Sequence, residues 1–232
     1  LGHTVVGVDP DPHKIDAVNQ SRSPFYEPEL GTIVAQVVSS GHLTASHILG
    51  PALDESAIAL ICVGTPSGPD GNLSLTQLRQ VAEEIRQLVV NRTEPLMVVI
   101  RSTVFPGTCE LVADIIGFPE RVSVISNPEF LREGSAVRDF RAPSLLVVGG
   151  KQPAAVAQVA ALYRGLPVEP TLVSLETAEL IKYACNAFHA LKIGFANEIG
   201  TLAEHLGING NEVMSTLCRD HRSEEHTSEL QS

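Results

Sequence analysis

Five short apolar, β-rich runs punctuate this chain, at residues 4–8, 57–63, 97–101, 122–126 and 145–148, and a weaker one lies near Leu172. Stretches of helical period separate them. Strands that are apolar throughout are buried on both faces, which requires helices above and below a parallel sheet. Right-handed crossovers then make the domain doubly wound α/β. Helices are expected after Asp11, over 28–39, after Gly107 and after Gln152. Another should open at Ser74, with Gln77 completing a capping box, and run to about Val90.

From Glu176 the pattern changes. Residues 176–206 hold no proline, and their apolar positions, among them Ile181, Cys185, Phe188, Phe195, Ile199 and Leu206, recur at helical spacing. One helix of about 30 residues is expected, ended by Gly207. Asn209 and Glu212 then cap a further short helix.

Composition narrows the class. The 232 residues are 44% hydrophobic and 19% charged, with a mean hydropathy of +0.13, too apolar for a disordered chain. No apolar run approaches the roughly 20 residues of a membrane span. The net charge of -11 argues against nonspecific nucleic-acid binding. Cys62, Cys109, Cys185 and Cys218 form no CxxC pair. They are expected to be reduced and buried in a cytoplasmic protein, without disulfide or metal. The chain opens at once on a strand, and residues are expected to precede it. Arg222 to Ser232, RSEEHTSELQS, has no structural period and reads like a translated sequencing-library adaptor. It is treated as a scar.

Ligands bind doubly wound sheets at the carboxyl ends of the strands. Asp9 ends the first run, where an acid can accept hydrogen bonds from the ribose of a dinucleotide or simply cap the next helix. Gly64 and Thr65 follow the second, as a backbone approach to a ligand or as a plain Gly/Pro turn. Ser102 and Thr103 put two hydroxyls after the third. Glu129 and Glu133 follow the fourth, and would share a face if that turn were helical; the alternative is a solvated face with Arg132 as counter-ion. On the long helix, Lys182, Asn186, His189 and Asn197 fall within about 80° of the circumference. This polar stripe either faces a ligand or forms a seam between helices or chains. Glu176, Glu179, Glu198, Glu204 and Lys192 make the charged side.

The segments LGHTVVGVD, ICVGTP, RSTVFPGT, NPEFLREGSAVRDF and ETAELIKYACNAFHALKIGFANEIG stand in this order over residues 1–221. In this the sequence resembles the UDP-glucose/GDP-mannose dehydrogenases. These NAD-dependent enzymes oxidise the C6 alcohol of a nucleotide sugar to a carboxylate. His189 in CNAFHALK, and NEVMSTLCRDH, resemble the members that act on GDP-mannose more than those that act on UDP-glucose.

The resemblance implies a Rossmann-like NAD-binding domain over 1–175, without its first strand and Gly-rich loop, and the start of a central dimerisation domain over 176–221. It implies that Asp9 and Lys14 hold the adenosine ribose, and that Thr65 and Thr103 line the cofactor, Thr103 near the nicotinamide. Glu129 and Glu133 would position water or the sugar. Lys182 and Asn186 would stabilise the C6 oxygen, and His189 and Asn197 would contact substrate. The long helix would form a homodimer. The family's nucleophilic cysteine motif is expected beyond His221. More distant readings are a β-hydroxyacid dehydrogenase or a noncatalytic nucleotide-binding or dimerisation module.

Overall fold

The computed structural model describes residues 2–68 and 71–220. The segment read as an adaptor scar lies outside them. The chain divides into two compact units, Leu1–Tyr183 and Ala184–Ser232.

In the first unit the expected alternation holds. Its elements are β1 (Val5–Val8), α1 (Pro12–Asn19), α2 (Leu30–Ser39), β2 (Leu43–Ser46), α3 (Leu49–Asp54), β3 (Ile58–Ile61) and α4 (Thr76–Val89). They continue as β4 (Leu96–Ile100), α5 (Thr108–Ile116), β5 (Val122–Ser126), α6 (Ala136–Arg141), β6 (Val147–Gly150), α7 (Pro153–Ala161) and β7 (Thr171–Val173). The helix α8 (Leu175–His205) starts here and runs on into the second unit, which also holds α9 (Gly210–Leu217). The sequence did not announce β2, α3 or α6. β2 reads Leu-Thr-Ala-Ser and has no apolar run, and the two helices are only six residues each.

The central strands β4 and β5 are buried almost throughout, as a sheet covered on both sides requires, and successive residues turn to opposite faces. Val98 and Ile100 of β4 join one core with Leu78, Ala82 and Ile85 of α4 and with Cys109, Val112 and Ile116 of α5. Val99, between them in sequence, belongs to the other core with Ile125, Val148, Val156 and Val159.

Two expectations need correction. The sheet is not one: β1 pairs in parallel with β2, while β3-β4-β5-β6-β7 form a second sheet. Nor is that sheet wholly parallel, because β6 runs antiparallel to β5. A parallel crossover needs roughly a dozen residues or more, usually as a helix long enough to traverse the sheet. The connection after β5 offers only the six-residue α6, so the chain re-enters from the edge it left.

The capping box at Ser74 does not form either. α4 begins after Leu75 with no side-chain cap, and the Ser74 hydroxyl meets that of Thr76 at 3.2 Å. A cap contributes about 1 kcal/mol. Burying Leu78, Ile85 and Val89 contributes about 1.5–3 kcal/mol each, so the packed face decides.

β6 ends two residues later than its apolar run, on Gly149 and Gly150. Glycine is a poor strand former, but here it is required by close approach. A Cβ on Gly149 would lie 2.5 Å from both the Ala178 Cβ and the Ser174 carbonyl oxygen, where α8 sets off across the strand.

The second unit is α8 from Ala184, a turn and α9. Gly207 takes φ 68° at the end of α8, and the Ile208 N–H returns to the Ala203 carbonyl. Asn209 caps α9 by accepting from the Asn211 N–H, as expected. Along α8 this unit exposes Phe188, Leu191, Ile193, Phe195 and Leu202, and just after it Leu206.

All four cysteines are free, as expected, but only Cys109 is buried; the other three are exposed. Among the described residues no helix is long and apolar enough to cross a membrane.

Gly149→Ala should destabilise the first unit by about 1–3 kcal/mol, because backbone cannot yield as a flexible side chain does. A fall in the urea midpoint with an unchanged slope checks this.

Candidate active site

The ends of β1, β3, β4 and β5 carry the residues singled out above. Asp9 follows β1 and makes two contacts. Its Oδ1 accepts from the Asp11 N–H at 2.9 Å, and its Oδ2 pairs with Lys14 Nζ at 2.9 Å. The Lys14 ammonium, helped by the Asp11 amide, holds the Asp9 carboxyl below its ordinary 3.8. The carboxylate is therefore charged at neutral pH. Capping of α1 falls to Asp11, which accepts from the His13 N–H. A fixed, solvent-facing carboxylate at a strand end can accept the two hydroxyls of an adenosine ribose, and it repels a 2′-phosphate.

The loops after β3 and β4 are bonded to each other. The Thr65 hydroxyl donates to the Thr103 carbonyl at 2.7 Å, and the Ser102 hydroxyl donates to the Val63 carbonyl at 2.6 Å. Thr65 thus sets the backbone position of Thr103.

After β5 comes the centre of the site. Asn127 is fully buried and is held three ways. Its Nδ2 donates to the Val147 carbonyl at 2.7 Å, its Oδ1 accepts from Arg101 Nη1 at 3.0 Å, and the Tyr163 hydroxyl also donates to that oxygen. Two residues on, Glu129 Oε1 meets Lys182 Nζ at 3.1 Å. The Lys182 side chain is 8% exposed and that of Glu129 33%. The Phe130 ring centroid lies 5.1 Å from the same ammonium.

The Glu129–Glu133 turn is not helical. Pro128 starts an irregular stretch, and the other Glu129 oxygen accepts from the Leu131 N–H at 2.6 Å. Glu133 is exposed and does not share a helix face with Glu129. Arg132 is not their counter-ion: its guanidinium pairs with Asp139 at 2.7 Å.

Lys182 is placed by its own helix. Three residues earlier, Glu179 is 1% exposed, although its position on the helix suggested a solvated face. Its carboxylate accepts from the Gly107 and Cys109 N–H groups, both at 2.7 Å, at the N-terminus of α5. That terminus supplies orphan donors and the positive end of the helix dipole. Phe105 and Tyr183 stack beside it with centroids 4.5 Å apart. Burial, reinforced by the neighbouring Glu179, pushes the Cys109 thiol far up, so it stays protonated.

The structure therefore brings Lys182 and Glu129 together. It places Asp9 with Lys14, and Thr65 with Thr103. Asn186, His189 and Asn197 lie in the second unit, where each is exposed. The reading of the sequence missed Asn127, Arg101, Tyr163 and Glu179 as the groups that hold the site. Asn127 alone had a local signal, an amide directly after an apolar strand.

The Arg132–Asp139 pair gives a pH marker. Arg132 depresses the Asp139 carboxyl from 3.8 to about 2. A depressed carboxyl contributes stability above its ordinary value and loses it as pH falls through about 2. An NMR titration should find that midpoint, and Arg132→Ala should return it toward 3.8.

Comparison with known proteins identifies the family. Residues 1–167 match the NAD binding domain of the UDP-glucose/GDP-mannose dehydrogenase family, and residues 176–230 match its central domain. A GDP-mannose 6-dehydrogenase from Pseudomonas aeruginosa is 40% identical over 228 residues, which is 95% of this chain and 52% of that protein. A UDP-glucose 6-dehydrogenase from Rhizobium meliloti is 40% identical over 231 residues, 96% of this chain and 52% of that protein. The crystal structure of a ternary complex of GDP-mannose dehydrogenase from Pseudomonas aeruginosa superposes with a TM-score of 0.91 at 39% identity, covering 95% of this chain and 52% of that one. The chain spans about half the length of these relatives. Its cofactor is NAD, which the Asp9 carboxylate fits. With Rossmann-type layers and these strand-end residues, the chain belongs to the UDP-glucose/GDP-mannose dehydrogenase family.

Proposed function

We propose that this chain is the NAD-binding portion and the start of the central domain of a nucleotide-sugar 6-dehydrogenase. The enzyme oxidises the C6 alcohol of GDP-mannose to the uronic acid with two NAD, as a cytoplasmic step toward a polysaccharide precursor. Residues 1–175 form the NAD-binding domain and 176–221 begin the dimerising one. The carrying observation is the ion pair of the nearly enclosed Lys182 ammonium with Glu129 at the sheet edge.

An alcohol carbon gives up hydride only as its oxygen loses a proton. An ammonium held in a site of low water content stabilises that developing negative charge far better than solvent does. Lys182 serves this role with Asn186. Glu129, already facing the ammonium, orients water or the reacting hydroxyl, and Glu133 assists it. NAD, when bound, would supply the hydride acceptor; Asp9 and Lys14 would hold its adenosine ribose, and Thr65 and Thr103 would line it, Thr103 near the nicotinamide. His189 and Asn197 contact the sugar nucleotide.

In the reaction that the family resemblance implies, the second oxidation passes through a thiol nucleophile. Cys109 is buried and kept protonated, and Cys62, Cys185 and Cys218 stand in no nucleophile motif. On this reading the chain alone does not turn over. The exposed apolar residues of α8 support a homodimer built on residues 176–206.

UDP-glucose is the second reading, favoured by the 40% identity to an enzyme named for it. The GDP-mannose reading rests on His189 and on the NEVMSTLCRDH segment.

The test places this chain in the framework of the full-length Pseudomonas aeruginosa enzyme and supplies each sugar nucleotide with NAD. Two NADH per GDP-mannose are expected, and none from the 232 residues by themselves. Lys182→Ala should lower kcat by about 100- to 1000-fold. An unchanged rate would make the polar stripe structural, and oxidation of 3-hydroxyacids by two electrons would overturn the reading altogether. Sedimentation of the framework enzyme as a monomer would sink the homodimer.

A further inference from the structure

The segment after Asn127 carries both site carboxylates, yet little fixes it. Most of its hydrogen bonds are local: the Leu131 N–H to Glu129, the Ser135 N–H to the Arg132 carbonyl, and Arg132 to Asp139. Beyond the Phe130 ring beside Lys182, the Phe140–Tyr163 ring contact and the exposed Arg141–Glu29 pair, two polar contacts tie the Glu129–Ala136 part to the rest of the fold. One is the Glu129–Lys182 pair. The other comes from Glu27, more than a hundred residues away in sequence. Its Oε2 accepts from the Gly134 N–H at 2.9 Å and its Oε1 from the Ala136 N–H at 2.8 Å.

This clasp is built in an unusual way. Glu27 lies in the connection between α1 and α2, beside two aromatic residues. Phe25 is 64% and Tyr26 91% exposed, while Glu27 between them and Pro28 is half-buried. The loop thus leaves both aromatic side chains in solvent and turns the carboxylate inward. There it accepts two charge-assisted bonds from backbone amides, the stronger kind of hydrogen bond. Gly134 takes φ 77°, which aims its amide at Glu27. Glu133 is the residue directly before it.

We propose that Glu27 is a positioning residue: its carboxylate clamps Gly134 and Ala136 and so holds the Glu129–Glu133 segment against Lys182. As a statement about turnover this rests on the nucleotide-sugar reading above; as a statement about geometry it does not. Asn127 fixes the start of the segment, Glu27 fixes its end, and Lys182 meets it between.

The geometric arm uses this chain. It has four lysines, Lys14, Lys151, Lys182 and Lys192, which 13C-dimethylation turns into four NMR reporters beside that of the N-terminal amine. Glu27→Ala should move the Lys182 signal toward its position in Glu129→Gln and leave that of Lys14, paired with Asp9, in place. Exchange at the Gly134 and Ala136 amides should quicken by about 10-fold or more. Glu29→Gln is the control. It removes the same charge two residues away, from an exposed pair with Arg141 at 2.6 Å, and should change neither signal.

The catalytic arm uses the full-length framework. There Glu27→Ala should lower kcat by about 10- to 100-fold, as a misplacement near 1 Å does, with KM for NAD unchanged. Glu27→Gln keeps one acceptor oxygen and should recover part of the loss. A Lys182 signal unmoved in Glu27→Ala, or an unchanged kcat, would overturn the proposal. A framework enzyme inactive with Glu27 intact would instead count against the nucleotide-sugar reading, and the lysine spectrum would still decide the clasp.

Discussion

Glu179 carries a carboxylate to a place that water does not reach. An unpaired charge there would cost several kcal/mol. Two N–H groups of the α5 terminus, each at 2.7 Å, remove that cost and add the favourable end of a helix dipole. The bond has a direction, so it fixes more than proximity. Within the first unit it sets how the opening turns of α8, up to Tyr183, are rotated and where they lie on the sheet. Three residues is just under one turn, so Lys182 emerges close to the same face, where Glu129 meets it. Thr103 belongs to the loop that leads into α5 and is fixed from the same place, with Thr65 bonded to its carbonyl.

The sheet does the rest. Parallel strands bring β3, β4 and β5 to end at one edge, and the two cores hold them from either side. The side chains that could touch a cofactor or a sugar come from loops, while the groups that hold those loops are buried in the scaffold. Asn127 shows the division of labour. It touches β6, Arg101 and Tyr163, and by fixing its own position it fixes where Pro128 and Glu129 begin.

Much of this was legible in the residue order. Apolar runs marked five strands, and the strand-end rule then pointed to Asp9, Thr65, Thr103 and Glu129. The long helix and its Lys182 followed from period alone. What escaped was decided by partners distant in sequence. Glu179 looks like any helix-surface acid until α5, some seventy residues earlier, is brought against it. Glu27 looks like a loop acid for the same reason. β6 was placed two residues early because glycine counts against a strand, whereas here the crossing of α8 demands it. Ser74 and Gln77 spell a capping box that the packed face of α4 does not need.

The reversal between β5 and β6 has a wider effect. Because β6 runs back beside β5, the stretch from Asn127 to Leu146 departs from and returns to one edge of the sheet. In a parallel crossover the connecting segment is a structural strut whose length is dictated by the thickness it must traverse. This one is an overhang instead. Its path is set by the site it carries, not by strand order or either core. The fold thus leaves the segment that carries Glu129 and Glu133 to be shaped by its own contacts with Glu27 and Lys182, while strand order and both cores are set behind it.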